Sequence, residues 1–136
     1  DKLLADAQWV SFAAHEQVYA AGRETAPVYF PISGVYSLVL PMNDGQPVEV
    51  AVVDSEGMLG IPVVLGLEAT PLRAVCRVAG QCARVAPDRF VSVLHGDGVL
   101  DHLIRRFLAV SWHAANQNVA CNLRHTVTER ACRWLL

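Results

Sequence analysis

The sequence predicts a mainly β chain with helices: a double-stranded β-helix (jelly roll or β-roll) flanked by helices, followed by one long C-terminal helix. Three observations carry the prediction. From Gln17 to Val85, short β-prone runs alternate with turns rich in Gly, Pro, Asn and Asp. The last third drops that rhythm and takes up a three-four apolar spacing. The chain has 136 residues, 53% hydrophobic and 18% charged, which suits one good-sized core and excludes disorder.

The elements follow in order. Asp1 to Ala14 is apolar at Leu3, Leu4, Ala7 and Val10 and reads as a short helix, with Trp9 as its anchor. Val28-Tyr29-Phe30 is a β run that ends at Pro31, and Ser33-Gly34 is a turn. Val35 to Leu40 is a strand rich in branched and aromatic residues. Asn43-Asp44-Gly45 is a hairpin signal, because Asp-Gly tolerates positive φ. Val48 to Val53 returns from it, with Val48, Val50 and Val52 on one face. Asp54 to Gly57 turns the chain into a glycine-bearing segment, discussed below. In the strand Arg73 to Val78, Ala74, Cys76 and Val78 point one way and Arg73, Val75 and Arg77 the other. Ala79-Gly80 is a turn, and Gln81 to Val85 is a further strand.

Pro87 and Asp88 suit the first turn of a helix that runs to about Leu94 and breaks at His95-Gly96-Asp97-Gly98. A helix of about 26 residues follows, from Val99 to Arg124, roughly 39 Å long at 1.5 Å per residue. Its stripe Leu100, Leu103, Phe107, Val110, Ala114, Gln117, Cys121 has the spacing of a coiled-coil seam, so it reads as a dimerisation helix. Thr126-Val127-Thr128-Glu129 is a capping box that opens one more helix. That helix reaches Arg133-Trp134-Leu135-Leu136 without a cap, and those apolar residues are expected to lead into a further domain. The expected organisation is a roll with its helices at 1–97, the dimerisation helix at 98–125, and a hinge with the first helix of a further domain at 126–136.

Composition excludes several classes. The net charge is −2, with one lysine and ten arginines, so this piece carries no basic surface for nucleic acid. No apolar run reaches the ~18 residues of a membrane span, and the N-terminus does not read as a signal peptide. Cys76, Cys82, Cys121 and Cys132 form no C-x-x-C pair, and reduced thiols in a cytoplasmic protein are the expectation. Ser11 and His15 are a local pair with no third partner, and Glu49, Asp54 and Glu56 read as solvated turn acids. No nucleophile elbow, Walker loop or zinc-protease motif occurs, so an enzyme is not expected.

The segment Gly57-Met58-Leu59-Gly60-Ile61-Pro62-Val63-Val64-Leu65-Gly66, followed by Leu72-Arg73-Ala74-Val75, has the frame of a phosphate cradle. Glycines let backbone N–H groups converge on an anion, and a helix start adds partial positive charge. This frame resembles the phosphate-binding cassette of cyclic-nucleotide-binding domains. The run from Val28 to Leu38 resembles the second and third strands of the Crp/Fnr family of transcription regulators. Glu56 to Gly60 resembles the approach to that family's cassette, and Cys121 to Arg130 its hinge. Together they make the chain similar to the sensor half of such a regulator. The resemblance implies a homodimer and a small effector, a cyclic nucleotide or another, held between roll and long helix. It also implies DNA bound by a C-terminal helix-turn-helix domain that this sequence does not contain. The hinge would comprise Asn122, His125, Thr126 and Glu129.

The sequence departs from the cassette at two positions. Where the family's nucleotide binders place a ribose-binding glutamate, this chain has Ile61, followed by Pro62. Where they place an arginine and then a serine or threonine, it has Leu72 and Arg73, before Ala74. Each lost charge-assisted contact costs roughly 1.5–3 kcal/mol. The expected effector is therefore not ordinary cyclic AMP, and the candidate pocket residues are Gly60, Ile61, Pro62, Leu72, Arg73, Ala74, Gln117 and Asn118. A true cyclic-nucleotide domain relying on Arg73 and backbone amides is the second reading. A haem-based gas sensor with His102 or His113 as axial ligand is the third. Haem is disfavoured, and no metal or other cofactor is expected.

Overall fold

The computed structural model describes residues 2–5, 7–22 and 27–135; the side chains of residues 2, 4 and 133–135 lie outside that description, and with them the apolar end read around Trp134. The chain divides into two compact units, 1–101 and 102–136. The first is a β-roll of two antiparallel sheets. β1 (Gln8–Phe12), β7 (Gly80–Val85) and β3 (Val28–Pro31) form one, in the order β1-β7-β3. β2 (Gln17–Tyr19), β6 (Arg73–Val78), β4 (Val35–Leu40) and β5 (Val48–Val53) form the other, in the order β2-β6-β4-β5. Short helices α1 (Lys2–Ala5), α2 (Ile61–Val64) and α3 (Pro87–Gly96) accompany the sheets.

Both sheets supply one core, made of Tyr29, Tyr36, Leu38, Leu59, Ala74, Cys76 and Cys82. Phe12 meets the rings of Tyr29 and Tyr36 edge-on at 5.9 and 6.1 Å between centroids, a favoured aromatic geometry. Phe90 of α3 is fully buried and its ring lies 6.0 Å from that of Phe30. The strand limits read from the sequence hold closely, and so does the hairpin: Gly45 has φ +79° and its N–H donates to the Met42 carbonyl at 3.1 Å. Val48, Val50 and Val52 are exposed along β5, an edge strand.

The N-terminal reading is corrected. Among the described residues of that stretch only Lys2–Ala5 is helical; Gln8–Phe12 is a strand, paired with β7 from Gln8↔Arg84 to Phe12↔Gly80. Val10 and Phe12 pack on the core, and Trp9 points away, 63% exposed, so it anchors nothing. The spacing of Leu3, Ala7 and Val10 fits a helix, but Trp9 to Phe12 also fits period-two alternation, and pairing with β7 decides between them.

In the second unit the long helix α4 spans Gly98–Arg124, with its first turn opened by Asp97 and lying in the first unit. The Asp97 carboxylate accepts the N–H groups of Val99 and Leu100 at 3.0 and 3.2 Å, an N-cap that also explains why α3 ends beside it. α5 (Val127–Leu135) begins at the capping box. Thr126 N–H donates to Glu129 Oε2 at 2.7 Å, and Glu129 N–H donates to Thr126 Oγ1 at 3.4 Å. No helix among the described residues is long and apolar enough to cross a membrane.

Candidate functional site

The glycine segment is pinned to the roll by a single antiparallel bridge. Tyr29 N–H donates to the Leu59 carbonyl at 3.0 Å and Leu59 N–H returns to Tyr29 at 2.9 Å. Gly60 follows with φ +101°, a conformation that L side chains rarely adopt. A Cβ there would also lie 3.1 Å from Val28 Cα and 3.2 Å from the Pro27 carbonyl oxygen. Gly60 is thus required by the close approach of two backbones, whatever else binds nearby.

The cradle is poor in donors. α2 has only four residues, Pro62 in its first turn has no N–H, and Val63 N–H is used by the Gly60 carbonyl at 3.0 Å. Gly66, at φ +69°, closes the helix, and Leu67 N–H folds back to the Pro62 carbonyl at 2.9 Å. The loop then returns through Thr70, whose carbonyl accepts Gly22 N–H at 2.8 Å and whose hydroxyl accepts Leu72 N–H at 3.1 Å. Between loop and roll lies a shallow apolar cleft, lined among others by Tyr19, Gly60, Pro62, Leu67, Glu68 and Thr70. Burial pushes the Tyr19 phenol up to about 12, with a smaller contribution from Tyr29, so it stays a neutral hydrogen-bonding group.

Only part of the expected pocket comes together here. Gly60 and Pro62 line the cleft, and Ile61 is half-buried in α2. Leu72 packs against the core cluster and Ala74 is fully buried within it. Arg73 lies in β6, opposite Val39 of β4, and strand alternation places it on the face away from Ala74. Gln117 and Asn118 belong to the second unit, where the Gln117 side-chain amide donates to Cys121 Sγ at 3.6 Å and Asn118 is half-buried. Along the seam, Leu103 and Val110 are 55% and 66% exposed, Ala114 is exposed, Leu100 and Phe107 are half-buried, and Cys121 is buried.

The segment between α4 and α5, expected to be a hinge, is bonded across its length. His125 Nδ1 lies 3.7 Å from Glu129 Oε2, and Arg130 Nη1 donates to Asn122 Oδ1 at 2.9 Å, joining α4 to α5. The Thr126 backbone and hydroxyl bonds hold the Glu129 carboxyl below its usual range.

His102 and His113 are exposed on α4. Burial raises both the Cys76 and Cys82 thiols, which are inaccessible core groups. Among the described residues no group of three or more His, Cys, Asp or Glu could hold a metal ion. Ser11 accepts from the Gln81 amide at 3.3 Å, and His15 occupies a left-handed turn, φ +71°, whose N–H donates to the Cys76 carbonyl at 2.7 Å. Both are accounted for as structure.

One polar cluster escapes the sequence reading. Glu49 is not a solvated turn acid: its carboxylate accepts from Ser37 Oγ at 2.5 Å and from Arg77 Nη2 at 3.2 Å, while Arg77 Nε donates to Ser37 Oγ at 2.9 Å. Ser37 is fully buried. The signal lies in strand parity, which puts Ser37 and Arg77 on the outer faces of neighbouring strands. Glu49 joins them only because a bulge between Leu38 and Val39 shifts the β4–β5 register.

The chain is a β-roll with a glycine-bearing loop between its fifth and sixth strands, followed by a long helix and a capped short one. The solved structures most informative here are regulators of the Crp/Fnr family. FixK2 from Bradyrhizobium japonicum superposes with a TM-score of 0.84 at 17% identity, over 95% of this chain and 64% of FixK2. CLP, a c-di-GMP-responsive global regulator from Xanthomonas campestris, gives 0.75 at 17% identity, over 98% of this chain and 68% of CLP. The sensor domain of the regulator DNR from Pseudomonas aeruginosa gives 0.69 at 18% identity, over 85% and 78%. The fold of this chain is the one these regulators use. No protein-family model and no curated protein matches its sequence.

Proposed function

We propose that the chain is the effector-sensing and dimerisation part of a Crp/Fnr-like transcription regulator, whose effector is not an ordinary cyclic nucleotide. The observation that carries the reading is the extent of the structural likeness. It covers 95% of the chain against FixK2 and so takes in the long helix and hinge as well as the roll. The exposed apolar groups of Leu103 and Val110 support a helix-to-helix contact with a second copy. The bonded hinge supports transmission: a ligand that prefers one arrangement of the helix pair shifts the population of hinge states and re-aims a DNA-binding domain beyond residue 136.

Three features of the cradle support a different effector. Pro62 removes a donor, Ile61 and Leu72 bring no charge, and the apolar cleft offers one carboxylate, Glu68, which repels phosphate. The test is calorimetry of the chain with cyclic AMP and cyclic GMP. The expected result is no heat of binding at micromolar ligand. Micromolar or tighter binding of either overturns the reading in favour of a true cyclic-nucleotide domain.

A further inference from the structure

We infer that the open edge of β1 pairs with β1 of a second copy of the chain, antiparallel and centred on Trp9, so that the two indoles lie side by side. The inference is independent of the regulator reading and of the contact proposed for α4. β1 ends the order β1-β7-β3, so one of its sides has no strand partner among the described residues. Every residue of Gln8–Phe12 is exposed or half-buried, the core-facing Val10 and Phe12 included. Along the open side, alternate residues carry N–H and C=O groups with no ladder to join, and the group that satisfies such a row is another strand. The Phe12 carbonyl receives the Cys76 thiol at 3.8 Å, so the open stretch runs from Ala7 to Ser11.

The edges at β2, β3 and β5 are each protected. β2 has three residues and an irregular register, β5 carries Glu49 and a bulge, and β3 is bridged by Leu59 and ends at Pro31. β1 has none of these devices. Its register with β7 runs unbroken from Gln8 to Phe12, and Ala7 to Ala14 holds no charged residue. The absence of charge also selects the occupant. An identical strand laid antiparallel about Trp9 sets Trp9 opposite Trp9, Gln8 opposite Val10 and Ala7 opposite Ser11, so no like charges face each other. Val10 and Phe12 turn to the core, which puts Trp9 and Ser11 on the outer face and both indoles on the same side of the joined sheet. Trp9 is 63% exposed in one chain, and a cross-strand aromatic pair covers it. The patch is small, below the ~1,200 Å² of a stable interface, so the contact fills at chain concentrations on the order of millimolar.

The test follows the 136-residue chain from micromolar to millimolar concentration. The indole N–H resonance of Trp9 and the backbone amides of Gln8 to Ser11 should shift along one saturation curve, the amides gaining protection from exchange. The sedimenting mass should rise by one association step over the same range. Trp9→Lys and Ser11→Lys, both at exposed positions, should each weaken that step at least tenfold. Trp9→Phe, which keeps an aromatic pair, should retain it, and Val48→Lys on the β5 edge should leave it unchanged. No concentration-dependent change at Trp9 and the β1 amides, an equal response in Trp9→Lys, or an equal loss in Val48→Lys overturns the inference. A Trp9 resonance that answers an added Thr-Val-Thr-Val-Thr peptide but not the chain's own concentration gives the edge to another partner and overturns it as well.

Discussion

Gly34 and Gly80 lie back to back across the turn that joins the two sheets. A Cβ on Gly34 would fall 2.6 Å from the Val78 carbonyl oxygen and 2.9 Å from Gly80 Cα. One on Gly80 would fall 2.2 Å from the Ser33 carbonyl oxygen and 2.6 Å from Gly34 Cα. These contacts are backbone to backbone, so no side chain can rotate away. Gly34 is also held at φ +84°. Either alanine substitution is expected to cost about 2–3 kcal/mol through overpacking and strain. Gly45→Ala is the control: its φ is +79° but nothing lies within 4 Å, so only the left-handed penalty of about 1–2 kcal/mol applies. Urea unfolding of the three variants checks the order, and equal losses at Gly45 and Gly80 would count against the packing account.

The Ser37–Glu49–Arg77 cluster makes a prediction about salt. The Arg77–Glu49 pair is nearly half exposed, 46% and 43% for the two side chains, so its coupling should be only about 0.2–1 kcal/mol and should fade as ionic strength rises. Ser37 is fully buried and serves as donor and acceptor at once. Ser37→Ala is expected to cost about 1–2 kcal/mol, with little salt dependence. A double-mutant cycle on Glu49 and Arg77, run at low and high salt beside Ser37→Ala, separates the two contributions.

That cluster also shows where sequence reasoning stops. Elements were legible because each carries its own local signal: alternation in Val35 to Leu40, a Pro-Asp helix start at Pro87, reciprocal capping at Thr126 and Glu129. The strand at Gln8 to Phe12 was not, because its residues satisfy two periodicities and a partner some seventy residues away selects one. The glycine frame pointed to the right fold, yet the reason for Gly60 was hidden. It lies in the backbone at Val28, which no spacing reveals. The direction of Arg73 followed from strand parity alone.

The junction of α4 and α5 has a pH dependence with a definite sign. Glu129 has a folded-state pKa below its ordinary value, first through the Thr126 backbone N–H and then through the Thr126 hydroxyl and His125. The ionised form is the one the fold prefers. Its contribution is complete above the unfolded carboxylate range and is lost as pH falls through that range to the lowered folded value. The start of α5 should therefore loosen in mild acid. His125 Nδ1 lies 3.7 Å from the same carboxylate, a solvent-exposed contact that adds little. Helicity of the C-terminal segment, followed by the amide shifts of Thr126 and Glu129 between pH 6 and 3, should show one transition. Glu129→Gln should remove it. Thr126→Ala should lower stability by about 1 kcal/mol at neutral pH. A transition that persists unchanged in Glu129→Gln would assign it elsewhere.

The seam on α4 yields a test of the proposed dimer that leaves the fold standing. At about 100° per residue, Leu103 and Val110 lie within roughly 20° of each other around the helix, while Trp112 and Val119 lie on nearly the opposite side. All four are exposed, at 55%, 66%, 73% and 59%, so a charged residue at any of them removes little packing within one chain. If Leu103 and Val110 form the contact, each substitution acts twice in a symmetric pair. Burial of one such side chain contributes about 1.5–3 kcal/mol, so a pair of losses should weaken association by a hundredfold or more. Leu103→Glu with Val110→Glu is expected to give a folded monomer by sedimentation equilibrium, with an unchanged melting profile for the roll. Trp112→Glu with Val119→Glu should sediment as the unsubstituted chain does. The opposite pattern would move the interface to the Trp112 face, and with it the helix surface available to an effector.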